Sequence, residues 1–179
     1  MPNYRRNRVP GGTYFFTVNL LDRRSRLLVT HIAELREVVR EVRAKQPFHI
    51  DGWVVLPEHM HCIWTLPQGD DDYPARWKAI KAAFAKRIPK TEKISAVRIG
   101  RKERGIWQRR YWEHTIRDAL DYSRHMDYLH INPVKHGLVE RVADWPYSSF
   151  HKLVAAGVYA ADWAGGLEMD FLAGEVVDG

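Results

Sequence analysis

The sequence predicts an α+β fold in which an antiparallel sheet carries helices on one face. The first observation is a set of segments rich in β-branched and aromatic residues, at 13–20, 48–56, 59–66 and 106–116. The second is apolar residues at helical spacing in 32–45 and 74–87, which separate the first strand from the second and the third from the fourth. The order β–α–β–β–α–β is that of a ferredoxin-like split βαβ unit.

Local signals set the boundaries of these elements. Pro10-Gly11-Gly12 marks a loop before the first strand, and Pro47 ends the first helix. Pro57-Glu58 is a tight connection between the second and third strands, which predicts a hairpin. Residues 89–105 are charged and lack an apolar stripe, so they predict an exposed loop.

A third long helix is predicted from Arg117 to about Ile131. Asn132-Pro133 is expected to interrupt it, because proline disfavours the α conformation in the residue before it. A new short helix then begins at Pro133 and stops at Gly137. We divide the chain into a domain at 1–143 and a C-terminal extension at 144–179, which is expected to pack on or near the functional site.

The chain length and the amino-acid composition restrict the class of protein. The 179 residues suit one domain with a sizeable core, and 45% hydrophobic with 28% charged residues is typical of a soluble globular protein. No apolar run reaches the ~18 residues of a membrane span, and no signal peptide is visible. The single cysteine, Cys62, excludes an internal disulfide and fits a reducing compartment. We therefore expect a cytoplasmic protein.

The net charge of +6, from 28 Lys+Arg and 22 Asp+Glu, favours a polyanionic partner. Solvated faces explain many basic positions, but several clusters also contain aromatic residues, as in 107–112. Interleaved cations and aromatic rings suit phosphate contacts and stacking on unpaired bases. The basic residues taken as candidate nucleic-acid contacts are Arg5, Arg6, Arg23, Arg24, Lys78, Lys81, Arg109, Arg110 and Lys135.

The segment His59-Met60-His61 supplies half of a candidate metal site. On a strand, residues at i and i+2 point to the same face, so His59 and His61 project side by side. Met60 and Cys62 then point the other way, into a core. Two imidazoles suit a first-row metal ion, although on spacing alone two histidines on a solvated strand face fit equally well.

The third helix supplies candidates for the other half. Tyr128 and Asn132 are four residues apart, so their side chains lie on one helix face. The amide oxygen of Asn132 could complete the metal site, and the phenol of Tyr128 could attack a phosphodiester that the metal polarises. Taken singly, a half-buried helix tyrosine and a helix terminus before proline explain these two residues as well.

Five further residues are secondary candidates for roles at the site. His130 is expected to face away from Tyr128 and to pack, whereas the role of His136 stays open. His114 either borders the site or lines the sheet. Glu58 either reaches the metal or its water, or is solvated at the hairpin turn. Lys135 is a plausible phosphate contact.

Together the motifs resemble those of a known family. His59-Met60-His61 and the run from Tyr128 to Gly137 are similar to the single-tyrosine HUH transposases, above all to the REP-associated tyrosine transposases. The resemblance extends over residues 4 to about 165. It also rests on these stretches: Tyr4-Arg5-Arg6 before Gly11-Gly12-Thr13, residues 53–61, and Trp145-Pro146-Tyr147-Ser148-Ser149. A lone HxH would be weak, but the motifs are specific jointly.

The resemblance implies a function. Residues 1–143 would form an HUH transposase domain that cleaves and rejoins single-stranded DNA at hairpins of repetitive extragenic palindromes (REP) with a flanking tetranucleotide. Tyr128 would form a 5′-phosphotyrosine link, and His59, His61 and Asn132 would hold Mg²⁺ or Mn²⁺. The family implies a monomer, although related insertion-sequence transposases are dimers. A cytoplasmic, nucleoid-associated location follows from such a substrate.

Three other functions are compatible with these residues. A replication initiator or relaxase shares the superfamily, but its chain is usually longer. A nucleic-acid-binding protein without catalysis would keep only the basic surface. A metal-dependent nuclease that uses water would leave Tyr128 with a structural role.

Overall fold

A computed structural model describes residues 5–102 and 104–166. Its sheet has four antiparallel strands, β1 (Thr13–Asn19), β2 (His49–Val55), β3 (His59–Thr65) and β4 (Trp112–Thr115), in the order β2-β3-β1-β4. The helices are α1 (Leu27–Thr30), α2 (Ile32–Lys45), α3 (Tyr73–Arg87), α4 (Ala96–Gly100), α5 (Ala119–Lys135) and α6 (Phe150–Ala155). This topology confirms the predicted ferredoxin-like fold.

Alternation along the central strands divides the core between the two faces of the sheet. Phe16 and Met60 belong to the cluster under α2 and α3, the two helices of the split βαβ unit. Phe15 and Ile63 belong to a second cluster, which includes Leu129 of α5. The split unit therefore has its helices, α2 and α3, on one face as predicted. Helix α5, which follows the split unit in the chain, covers the other face.

Helix α5 lies close to β2 because a glycine faces it. A Cβ built on Gly52 would lie 2.6 Å from Sδ of Met126, so a larger residue would push against this helix. Met126 is two residues before Tyr128. The close approach at Gly52 therefore lies beside the part of α5 that carries Tyr128.

The predicted interruption of the third helix is wrong. Helix α5 runs through Pro133 to Lys135 without a break. Proline this near the end removes few helical hydrogen bonds, and a Schellman motif closes the helix at Gly137 (φ +68). In this motif the N–H of Gly137 donates to Val134 O and that of Leu138 donates to Pro133 O. The predicted stop at Gly137 is confirmed.

The fourth strand is shorter than predicted. Trp107 forms only an isolated bridge with Leu20, and regular pairing with β1 begins at Trp112. The chain leaves the ladder in between because Trp107 and Tyr111 pack on the cluster under α3. The exposed loop predicted at 89–105 contains the short exposed helix α4.

The segment after residue 144 covers the outer edge of β2. Ser149 N donates to Trp53 O, Val55 N donates to Tyr147 O, and the indole Nε1 of Trp145 donates to Val55 O at 3.0 Å. These bonds occupy backbone groups that an edge strand would otherwise expose. The division at residue 144 stays a prediction, and residues 167–179, like Tyr4, lie outside the described part of the chain. Among the described residues, no helix has the length and apolarity needed to span a membrane.

Candidate active site

Strand β3 presents His59 and His61 on the face covered by α5. They pair in register with Asn19 and Thr17 of β1, and both rings are buried. His59 Nδ1 lies 2.7 Å from Glu58 Oε1, and His61 Nδ1 lies 2.9 Å from Thr17 Oγ1. Partners at Nδ1 fix both rings and assign Nε2 as the nitrogen for a ligand role.

Two buried atoms in this region lack a hydrogen-bond partner among the described residues. They are His59 Nε2 and Asn132 Oδ1. The amide Nδ2 of Asn132 lies 3.5 Å from Tyr128 O, which directs the amide nitrogen back along its own helix. Unsatisfied buried acceptors are costly, and a bound cation would satisfy both. The residues therefore fit a divalent metal ion.

Helix α5 and its C-cap residue, His136, bring three polar side chains over the histidine pair. The ring centroid of Tyr128 lies 5.5 Å from that of His61, and the ring of His136 lies 5.0 Å from that of His59. Asn132 is one helical turn from each, so it lies between them on the same face. The structure thus brings together the four residues that the sequence singled out, and it adds His136, whose place the sequence left open.

Tyr128 is held in an aromatic and cationic environment. Its ring lies 6.0 Å from Phe15 and is 3% exposed. Lys135 Nζ lies 4.8 Å from its ring centroid, within the range of a cation–π contact. Lys135 is exposed, so it forms the solvent-facing side of the surroundings of Tyr128. A phosphate approaching Tyr128 from solvent would meet this ammonium group.

Glu58 connects the histidine pair of the candidate site to the basic loop before α1. Burial, the largest single influence, raises the pKa of Glu58, but the hydrogen bond and charge of His59, a backbone hydrogen bond and the charge of Arg23 together outweigh it, so the net pKa is lowered. Arg23 Nη2 lies 3.8 Å from Glu58 Oε1, and its other terminal nitrogen donates to Asn19 Oδ1. Arg23 therefore contacts residues at the edge of the histidine pair.

Two of the predicted nucleic-acid contacts are bound within the protein. Arg6 donates to Glu113 Oε2 at 3.0 Å and lies 4.0 Å from the ring centroid of Tyr111. Lys81 Nζ donates to Gln108 O at 2.7 Å, and burial lowers its pKa to about 8. The other predicted contacts are exposed, namely Arg5, Arg23, Arg24, Lys78, Arg109, Arg110 and Lys135. Their role in binding stays a prediction.

The remaining histidines of α5 and β4 have partners away from Tyr128. His130 is fully buried, and its Nε2 lies 2.8 Å from Ser149 Oγ. His114 lies against Asp121 and His125, a cluster that the sequence analysis did not identify. The four-residue spacing of Asp121 and His125 on one helix was the available signal.

Comparison with known proteins establishes the family. No protein-family model matches the chain. The REP-associated tyrosine transposase of Escherichia coli is 53% identical over 175 residues, which cover 98% of each chain. The chain belongs to the REP-associated tyrosine transposases. A Haemophilus influenzae protein named for the same family is 45% identical over 166 residues, covering 92% of this chain and 94% of its own.

A solved structure agrees with this assignment. It is a REP-associated tyrosine transposase bound to a REP hairpin, and it is 51% identical with a TM-score of 0.85. The match covers 100% of both chains. The family predicted from the HxH and Tyr-x-x-x-Asn-Pro motifs is confirmed. In this REP-associated tyrosine transposase, those two motifs meet between β3 and α5.

Proposed function

We propose that the protein is a transposase that cleaves and rejoins single-stranded DNA at REP hairpins, with Tyr128 as the nucleophile. The observation that carries this proposal is the position of the Tyr128 ring, 5.5 Å from the ring of His61 and one turn from Asn132. The relative that was solved with a REP hairpin supports the choice of DNA.

Cleavage would be a direct transfer between two oxygens. The phenol oxygen of Tyr128 forms a bond to phosphorus, and the bond from phosphorus to the 3′ oxygen breaks. The phenol of Tyr128 loses its proton in this step, and the departing 3′ oxygen gains a proton to become a hydroxyl. The 5′-phosphotyrosine link conserves a phosphodiester bond, so attack by a 3′ hydroxyl rejoins DNA without an external energy source.

His59, His61 and Asn132 would hold the Mg²⁺ or Mn²⁺ ion. Two imidazole nitrogens and a carbonyl oxygen suit Mn²⁺ well and are compatible with Mg²⁺. When bound, such an ion supplies positive charge that polarises the phosphate and stabilises charge developing on it. Glu58 and Thr17 hold the histidine rings in the orientation that this binding requires.

One chain supplies every group that the reaction needs. Tyr128 contacts His61 of the same chain, so the nucleophile need not come from a second copy. This arrangement supports a monomer as the active form. We propose that the exposed basic residues contact the hairpin backbone and that Trp112, 47% exposed, stacks on an unpaired base of the flanking tetranucleotide. Binding to chromosomal REP DNA would place the protein in the nucleoid.

The test is a covalent-adduct assay. Labelled single-stranded REP hairpin oligonucleotides are incubated with Mn²⁺ and the protein, and the products are separated under denaturing conditions. The wild type should form a protein–DNA adduct, and Tyr128→Phe should form none while still binding the hairpin. Tyr122→Phe, on the same helix, is the matched control and should form the adduct. No wild-type adduct, or an equal adduct from Tyr128→Phe, contradicts the proposal.

A second variant separates the alternative functions. His59→Ala/His61→Ala should lose Mn²⁺-dependent cleavage and keep hairpin binding, since it removes two proposed ligands. Cleavage by the wild type without an adduct would identify a nuclease that uses water. Hairpin binding without cleavage would identify a binding protein.

A further inference from the structure

A second group of metal-ligating side chains lies between β4 and the start of α5. His114 Nε2 lies 2.8 Å from Asp121 Oδ2, and His125 Nδ1 lies 3.1 Å from Asp121 Oδ1. The three donor atoms all lie within 4.8 Å of one another. We propose that His114, Asp121 and His125 bind a divalent transition-metal ion, with Zn²⁺ as the best fit, at a site separate from His59.

The donor set and its spacing favour zinc over the alkaline-earth ions. Two imidazoles and one carboxylate are a common zinc ligand set, with a water in the fourth position. Bonds of about 2.0–2.1 Å in a tetrahedron separate the ligand atoms by about 3.4 Å. The 2.8 and 3.1 Å distances run to the two different oxygens of Asp121, and the three donor atoms lie within 4.8 Å of one another, so a shared ion requires the side chains to rotate.

The fold keeps these donors together. His114 pairs with Phe15 in the β1–β4 ladder, and Asp121 and His125 are one turn apart on α5. The rings of His114 and His125 are stacked, with centroids 4.4 Å apart and planes inclined by 13°. Both ligand-bearing elements are therefore fixed by pairing and packing, and the two stacked rings would turn to bring their nitrogens to a common ion, because a metal ion binds in the plane of each imidazole.

Other groups orient the carboxylate. Arg117 donates to Asp121 Oδ2 from its backbone N at 2.9 Å and from its guanidinium Nε at 3.3 Å. Such outer contacts are typical of metal ligands because they fix the direction of the donor atoms. The side chain of His114 is 25% exposed, which leaves a route of access from solvent.

Metal binding would exchange hydrogen bonds within this cluster for metal–ligand bonds. The ion would replace the imidazole–carboxylate hydrogen bonds and the bond from His125 Nδ1 to Asp121 O. Each ligating imidazole would then hold its proton on its other ring nitrogen.

An ion at this position would tie the edge strand to the helix that carries Tyr128. His125 is three residues before Tyr128, and both rings pack on Phe15, at 4.9 and 6.0 Å between centroids. The site is too far along the helix to share Asn132, which lies seven residues after His125. Its expected role is structural, since it would hold the start of α5 on the sheet.

The test uses the full chain with His59→Ala/His61→Ala, so that the candidate active site contributes no binding. Zn²⁺ is titrated by calorimetry, and Co²⁺ by visible absorption as a spectroscopic probe. We expect one equivalent of each ion to bind and zinc to raise the thermal unfolding temperature. Adding His114→Gln/His125→Gln should abolish binding and the temperature shift. Adding His49→Gln/His151→Gln, which changes two exposed histidines, should preserve both.

The single change His114→Gln controls for misfolding of the double variant. His114 is partly exposed, so replacing it alone should disturb the fold least. In the same background it should weaken zinc binding at least about tenfold and leave the circular dichroism spectrum unchanged. Absence of zinc binding before this change, or full stoichiometry and affinity after it, overturns the proposal. The result does not depend on the adduct assay, since the background lacks His59 and His61.

Discussion

His59 Nδ1 and Glu58 Oε1 are joined by a 2.7 Å hydrogen bond between neighbouring residues at the start of β3. The bond forms where the hairpin turn ends, and it places the Glu58 carboxylate at Nδ1 of the His59 ring. Nε2 is then left as a buried acceptor. Glu58 is therefore a positioning residue for the proposed metal ligand, and the hairpin turn is part of the site.

Glu58→Gln should weaken the proposed metal binding without removing a ligand. The amide is a weaker partner for the imidazole N–H than the carboxylate, so the Mn²⁺ concentration for half-maximal cleavage should rise about 10- to 100-fold. Saturating Mn²⁺ should restore most of the activity. A Mn²⁺ titration of hairpin cleavage measures this, with the exposed Glu37→Gln as the control. An unchanged Mn²⁺ requirement in Glu58→Gln would rule out the positioning role.

Gly52→Ala should destabilise the protein and reduce adduct formation together. The new Cβ would lie 2.6 Å from Met126 Sδ, so Met126 must move or α5 must rise from the sheet. Overpacking costs about 1–3 kcal/mol, and because Sδ is near the end of a flexible side chain we expect the low end, about 1 kcal/mol. Urea unfolding and the rate of adduct formation measure the two effects.

Gly100→Ala is the control for that change. A Cβ at Gly100 meets no atom within 4 Å, and the residue ends the exposed helix α4. Its stability should stay within about 0.5 kcal/mol of the wild type. Equal effects of the two substitutions would show that the approach of α5 to β2 is not constrained at Gly52.

His130 should make the protein sensitive to acid. Burial lowers its pKa to about 4, below the ordinary value of 6.5. The unfolded chain therefore takes up the proton first, so stability is retained above pH 6.5 and falls as the pH drops towards 4. Between pH 6.5 and 5, the wild type should lose about 1.6 kcal/mol more than His130→Gln.

Urea unfolding at several pH values measures that difference. The exposed His49→Gln should follow the wild-type dependence on pH. If His130→Gln loses stability with acid as steeply as the wild type, another group is responsible for the acid sensitivity.

Periodic patterns predicted the parts of this molecule that depend on local geometry. The period of two on β3 placed His59 and His61 on one face, and the apolar spacing in α2 predicted its bounds at Ile32 and Lys45. The break expected at Asn132 failed because the preference of a residue before proline was outweighed by packing and by the Schellman motif. A local rule does not contain that tertiary contribution.

Contacts between distant segments could not be read from the chain. The approach of His136 to His59 depends on how α5 packs across the sheet, which no local sequence pattern contains. Likewise, the charge of Arg6 suggested a phosphate contact, but its guanidinium is paired with Glu113. Charge patterns show where cations occur but do not show which partner each cation has.

The most direct test of the account is to locate the DNA on the protein. The adduct formed with a single-stranded REP hairpin is digested with trypsin and nuclease, and the modified peptide is sequenced by mass spectrometry. We predict a single modification, a 5′-linked phosphonucleotide on the phenol of Tyr128. A phosphonucleotide on any other residue, or cleaved DNA with no modified peptide, would contradict the assignment of Tyr128 as the nucleophile.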